Sequence, residues 1–231
     1  MDANHLSQRL KAVANYVPND SRVADIGSDH AYLPVYLLKK DLIEYAIASE
    51  VAKGPLQNAK NEILKENLSD KTDTRLADGL LSIKKEDEIN CVVIAGMGGI
   101  LIRDILENGQ SHLNGKELLV LQPNVGEDIL RKWLMDNYYS IINEHILRED
   151  GHNYEIIEAQ KVNDKIIYTL EELKFGPILL EKRSPVFIEK WQNEIKRLEN
   201  IISSMDNMKG PKPIIKINKM KKEIKEIKEV L

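Results

Sequence analysis

Nothing in this 231-residue chain approaches the roughly 18 consecutive apolar residues that a membrane span requires. Cysteine is almost missing. The single one, Cys91, lies inside the apolar run Cys91-Val-Val-Ile-Ala95. A disulfide framework or a cysteine metal cluster is therefore excluded within one chain. A buried, inert thiol is expected at Cys91, because a nucleophilic cysteine needs an exposed, electropositive setting. The histidines, His5, His30, His112, His145 and His152, are scattered without metal-ligand spacing, so no metal is expected. The opening residues, Met1 to Leu6, lack the basic and apolar regions of a secretion signal. A cytoplasmic location is the resulting expectation. No internal repeat and no low-complexity segment is found.

An overall positive charge is lacking too. The net charge of −4 excludes a chain that is basic throughout. The charge is nevertheless uneven: residues 181–231 carry 13 Lys/Arg against 8 Asp/Glu, a local +5. That points to a C-terminal segment with an anionic partner, or to a solvated helical surface.

What is present is a globular composition, 42% hydrophobic and 30% charged, in a chain long enough for one large α/β domain with an appendage. Leu6, Leu10, Val13 and Val17 form one face of a helix that Pro18 stops. Arg9 and Lys11 lie off that face, open to phosphate or to solvent. The stretch Val23-Ala-Asp-Ile26 reads as a buried parallel strand, Gly27 as a sharp turn, and Ser28 and Asp29 as helix-cap types. Strands at 45–50, 74–77, 90–95 and 118–121 alternate with helices at 31–40, from Gly54-Pro55 onward, at 100–106 and at 126–137. Two runs, 138–147 and 154–162, flank the turn 149–153 and read as an antiparallel pair closing the sheet. The pattern predicts a doubly wound parallel sheet.

The tail differs in kind. Ile188, Trp191, Ile195, Leu198, Ile202 and Met205 step by three and four, as do Ile217, Met220, Ile224, Ile227 and Leu231. A Gly/Pro-containing turn at 207–213 separates them. The spacing predicts an antiparallel helical hairpin of coiled-coil type with its lysines outward. The domains are expected at 1–175 and 176–231.

In an open α/β sheet, ligands bind at the carboxyl ends of the strands. Asp25, Gly27, Ser28, Asp29 and His30 are therefore expected to face a small molecule. Glu50, ending the second strand, has the position of an acid that accepts both hydrogen bonds of a ribose diol. Asp78, followed by Gly79, is placed either to accept from an adenine amine or to cap a helix. Gly96-Met-Gly-Gly99 suggests close backbone approach by a ligand. Gln122 and Asn124, around Pro123, carry amides of the kind that pair with base edges. The chain lacks the G-x-G-x-x-G of dinucleotide enzymes. Asp29 at the helix start suits a cation better than a pyrophosphate. S-adenosylmethionine (SAM) therefore fits better than NAD(P).

Taken together, Asp25-Ile-Gly-Ser-Asp-His-Ala-Tyr-Leu-Pro34, Ile94-Ala-Gly-Met-Gly-Gly99, Leu121-Gln-Pro-Asn124 and Glu149-Asp-Gly-His-Asn-Tyr-Glu155 resemble the bacterial tRNA adenine-22 N1-methyltransferases, the TrmK family of class I SAM-dependent enzymes. The resemblance implies a Rossmann-like sheet, a C-terminal coiled coil, SAM as cofactor and tRNA as partner. Oligomeric state is left open, with a monomer favoured. It also implies that Asp25, Gly27, Ser28 and Asp29 line the methionine end of SAM and that Glu50 holds the ribose. Asp78 and Gly79 would meet the adenine, and Ala95, Gly96 and Met97 would close the pocket under the sulfonium. Asp29, Gln122 and Asn124 are the candidates for work on the target base, with His30 as a further one. The chain departs from the Asn/Asp-Pro-Pro-Tyr pattern of amino-methyltransferases, having Gly-Met-Gly-Gly there. A methyltransferase acting on another RNA or on a protein, and a non-catalytic SAM-sensing RNA-binding protein, are the alternatives.

Overall fold

The computed structural model describes residues 2–207 and 213–231. They form two compact units, Met1–Ile178 and Leu179–Leu231.

In the first unit, five parallel strands are β1 (Ser21–Ile26), β2 (Ile43–Glu50), β3 (Thr72–Leu76), β4 (Cys91–Met97) and β5 (Leu118–Pro123). The pair β6 (Tyr139–Glu149) and β7 (His152–Lys161) completes a seven-stranded sheet of order β3-β2-β1-β4-β5-β7-β6. β7 runs antiparallel to both β5 and β6. The turn between β6 and β7 is tighter than expected from sequence. Only Asp150 and Gly151 form it, both with positive φ (49° and 80°), and Glu149 pairs with His152. This is the two-residue geometry whose twist suits a hairpin.

Helices α1 (Gln8–Ala14), α2 (Tyr32–Lys39), α3 (Lys53–Lys65), α4 (Gly99–Gly109) and α5 (Glu127–Asp136) cover the sheet, followed by α6 (Leu170–Phe175). Side chains alternate across each strand. Ala24, Ile26, Val92, Ile94, Leu119 and Leu121 pack with Ile102 and Leu106 of α4 and with Leu130 and Leu134 of α5. Val23, Cys91, Val93, Leu118 and Val120 pack with Val13 of α1 and with Leu33, Leu37 and Leu38 of α2. Cys91 is fully buried, and burial pushes its thiol pKa up, as an inert thiol requires.

The same alternation carries Asp25, Ala95 and Gln122 onto the α1/α2 side at the carboxyl ends of β1, β4 and β5. The strand order reverses between β1 and β4, which opens a crevice at that end.

A feature no expectation covered locks the closing strands. The Arg131 guanidinium of α5 is fully buried between Glu144 of β6 (2.7 Å) and Glu155 of β7 (2.5 Å). Burial works against that charge, but the two carboxylates outweigh it and hold the guanidinium protonated. The group also donates to the Leu173 carbonyl, and the Ile178 N–H donates to Glu144 at 2.9 Å.

In the second unit, α8 (Pro185–Asp206) and α9 (Ile214–Val230) pack on each other. Ser184 caps α8 by accepting from the Phe187 N–H. Lys228 lies 3.4 Å from Glu199 near the α9 end, which fits an antiparallel hairpin. Trp191, Ile195, Leu198 and Ile202 are buried, as are Ile217, Ile224 and Ile227. Leu231 is exposed and Val230 is buried in its stead, because the apolar stripe takes a step of three at its last turn. Lys216, Lys219, Lys221, Lys222, Lys225 and Lys228 of α9 are all exposed. The centre of the expected turn at 207–213 lies outside the described residues. α7 (Pro177–Lys182) holds the boundary between the units. Among the described residues no helix is long and apolar enough to cross a membrane.

Candidate active site

Three carboxylates stand at the ends of adjacent strands. Asp25, near the end of β1, is buried and accepts a hydrogen bond from the Ser28 hydroxyl at 2.5 Å. Burial raises its pKa to about 7, and the nearby Glu50 charge adds to that, while Ser28 opposes it. Glu50 ends β2. Its Oε1 accepts from the Asp29 N–H at 2.5 Å. Its other oxygen has no protein partner among the described residues. Asp78, just beyond β3, is exposed and makes no capping bond to the 3₁₀ turn Gly79–Ser82 that follows. Of its two sequence readings, the helix cap is therefore not realised.

The β1–α2 turn carries Gly27 at φ +71°. A Cβ on Gly27 would lie 2.1 Å from the terminal methyl of Met97, so the β1 turn and the β4 end share one small space. Both Gly27 N–H and Ser28 N–H donate to the Ser49 carbonyl. Asp29 sits at φ +49° with its side chain 71% exposed. The His30 ring stacks on Tyr32 with centroids 5.0 Å apart, and its Nε2 is 3.8 Å from Asp29 Oδ1.

The glycine segment after β4 behaves differently from the expectation. β4 does not stop at Ala95 but continues to Met97, with Ala95 opposite Gln122 and Met97 opposite Pro123. Gly96, at φ +80°, is the extra residue of a bulge. The close approach at Gly99 is not to a ligand: a Cβ there would meet the Gly126 carbonyl oxygen at 2.1 Å. Gly99 N–H donates to the Val125 carbonyl, and Asn124 N–H to the Met97 carbonyl, both at 2.7 Å. The β4–α4 and β5–α5 turns are thus packed backbone on backbone.

Gln122 and Asn124 separate into different roles. Gln122 is fully buried, and its amide is spent inside the protein. Its Oε1 accepts from Arg9 Nη1 (2.5 Å) and Gly96 N–H (3.1 Å), and its Nε2 donates to the Pro123 carbonyl and to Asn124 Oδ1. The expectation that Gln122 meets a base is corrected: it is enclosed because its side chain continues the inward row of β5. Asn124 is exposed and donates to the Gly96 carbonyl at 2.8 Å.

Arg9, which its sequence leaves open to phosphate or solvent, belongs to this site. It enters because Glu149, at the end of β6, accepts from Gln8 N–H and Arg9 N–H at the start of α1. Its guanidinium lies 5.5 Å from the Tyr154 ring centroid. Glu149, Tyr154 and Glu155, whose motif contributed to the resemblance, therefore place α1 and bury Arg131.

A doubly wound sheet closed by an antiparallel pair, with acids ending β1 and β2 at its switch point, defines a Rossmann-like methyltransferase. The donor set fits SAM: carboxylates for a cationic head, one free oxygen of Glu50 for a diol, and Asp78 for an amine. The sequence model of the family described as tRNA (adenine(22)-N(1))-methyltransferase, TrmK, matches residues 23–229, and the chain belongs to this family. It is 42% identical over 205 residues to the tRNA (adenine(22)-N(1))-methyltransferase of Bacillus subtilis, covering 87% of this chain and 86% of that one. Its structure is similar to that of Streptococcus pneumoniae Sp1610 in complex with S-adenosyl-L-methionine (39% identity, TM-score 0.89, 98% and 100% of the two chains covered). It is also similar to M. capricolum TrmK in complex with S-adenosyl-homocysteine (30% identity, TM-score 0.84, 97% and 96% covered).

Proposed function

We propose the following division of labour for the reaction of this family, transfer of a methyl group from SAM to N1 of adenine 22 of tRNA. The observation that carries it is the row of Asp25, Glu50 and Asp78 at the ends of β1, β2 and β3, with Asn124 exposed beside Gly96. Asp25, Gly27, Ser28 and the Asp29 backbone hold the methionine end of the cofactor, and His30 flanks it. Glu50 holds the ribose with its free oxygen. Asp78 and Gly79 meet the adenine. Ala95, Gly96 and Met97 close the pocket floor. Bound SAM supplies an electrophilic methyl group.

Adenine N1 keeps an in-plane lone pair at neutral pH, so the protein needs no strong base. Its task is to take the base out of the stack and align N1. Positioning of this kind supplies roughly 7–11 kcal/mol of a barrier. Asn124 offers its free N–H and the remaining lone pair of its oxygen to the edge of the base. Asp29, exposed at the same rim, stabilises the positive charge that the ring acquires. The lysines of α9 contact tRNA phosphates. A monomer is the acting unit in this reading, and the tRNA substrate supports a cytoplasmic location.

The test is methylation of unmodified tRNA with labelled SAM, mapped by digestion and mass spectrometry. A 1-methyladenosine at position 22 is expected. SAM binding without any methylated tRNA would overturn the substrate assignment and leave the cofactor assignment standing.

A further inference from the structure

We infer that Arg9 is a positioning residue for methyl transfer: acting through Gln122, it fixes the orientation in which Asn124 presents its amide. The inference rests on the reading of Asn124 as the base-facing amide. Arg9 precedes the segment 23–229 that the family model matches.

The hydrogen bonds allow one polarity. Gly96 N–H can only donate, and the carbonyls of Gly96 and Pro123 can only accept. Gln122 Oε1 faces Gly96 N–H at 3.1 Å and Arg9 Nη1 at 2.5 Å. Turning that amide over would set its NH₂ against two donors and its oxygen against the Pro123 carbonyl. With Gln122 fixed, Asn124 is fixed too. Its Oδ1 accepts from Gln122 Nε2 at 3.1 Å, and its Nδ2 donates to the Gly96 carbonyl at 2.8 Å. One N–H and one oxygen lone pair of Asn124 remain unspent and exposed.

Arg9 supplies the charged bond in this chain, to a side chain with no access to solvent. Charge-assisted bonds are shorter and about twice as strong as neutral ones. Glu149 and Tyr154 hold Arg9 in place. Without Arg9, Gln122 Oε1 keeps only the Gly96 N–H as a donor, so the Pro123 and Gly96 carbonyls are left to hold the two amides, and Asn124 is held less firmly in its present orientation.

The experiment is steady-state kinetics of the full-length Arg9→Ala, Arg9→Lys, Asn124→Ala and Arg9→Ala/Asn124→Ala variants with SAM and unmodified tRNA. Melting temperature and SAM affinity are measured alongside. Arg9→Ala is expected to lower kcat about tenfold, with both KM values within about twofold. Arg9→Lys restores part of the loss. The double variant is no slower than Asn124→Ala, as coupled residues require. Multiplying losses in the double variant would overturn the route through Asn124. A rise in the KM for tRNA with kcat unchanged would make Arg9 a phosphate contact instead, and also overturns the inference. An Asn124→Ala variant with full kcat would overturn the reading of Asn124 itself, an outcome separate from the other two.

Discussion

The backbone N–H of Asp29 donates to Glu50 Oε1 at 2.5 Å, which ties the turn after β1 to the end of β2. One oxygen of Glu50 is therefore structural and the other is free for a ligand. Glu50→Gln retains an acceptor for Asp29 but loses the charge and turns the free oxygen into an N–H donor. It is expected to raise the KM for SAM about tenfold with little change in kcat. Glu50→Ala loses both, so kcat falls as well. Equal effects of the two substitutions would show that the bond to Asp29 plays no part.

Asp29 combines an exposed carboxylate with φ +49°. Asn tolerates that backbone region better than Ala, so Asp29→Asn isolates the charge. A drop in single-turnover rate of about tenfold, corresponding to about 1.4 kcal/mol, is expected with tRNA affinity within about twofold. Equal losses in rate and in affinity would remove Asp29 from the chemistry.

Asp25 couples cofactor binding to pH. Its pKa of about 7 means that the folded, ligand-free protein holds the carboxyl protonated below neutrality. The unfolded chain releases that proton near pH 4. The resulting stability is present in full below the unfolded pKa and is lost as pH rises through about 7. At most about 4 kcal/mol separates the two ends of that window. A cationic ligand needs the ionised form, so SAM affinity should rise with pH and level off above 7. Calorimetric titration between pH 5.5 and 8.5 tests this, and Asp25→Asn should bind more weakly with a flat profile.

Arg131 lies between two buried carboxylates, and removing it takes away the guanidinium that both of them bond. Arg131→Ala is expected to cost roughly 3–5 kcal/mol. For a chain of this size that lowers the melting temperature by about 10 °C. Thermal denaturation with and without SAM checks it. A loss under 1 kcal/mol would mean that the triad contributes little.

Lys216, Lys219 and Lys222 of α9 are exposed. Replacing all three with Ala should weaken tRNA binding. It should also flatten the dependence of log K on log salt by roughly one for each phosphate no longer neutralised. SAM affinity should be unchanged. An unaltered salt slope would direct the hairpin to another partner.

Most of the sheet was legible because its signals are local. A strand of Val, Ala and Ile ending at a glycine is readable within six residues, and Glu50 and Asp78 declare themselves as acids after such strands. The hairpin was legible for a similar reason, its stepping of three and four being set by helix geometry alone. What escaped depends on distant partners. Arg131 looks like a surface charge until Glu144 and Glu155 close around it. The bulge at Gly96 is defined by its pairing with β5, so three glycines in four residues read as ligand contacts when Gly99 serves the neighbouring turn. Gln122 resembles Asn124 in sequence, yet Gln122 lies inside β5 and is buried, whereas Asn124 lies just past the strand end and is exposed.

The bond from Glu149 to the start of α1 spans 140 residues of sequence. Seven residues of helix do not persist alone in water. α1 thus gains its N-terminal partner only after β6 has been made. The earliest part of the site to be synthesised thus takes part of its support from one of the latest. A growing chain that holds only β1 to β5 therefore lacks Glu149 and Tyr154, the two partners that hold Arg9.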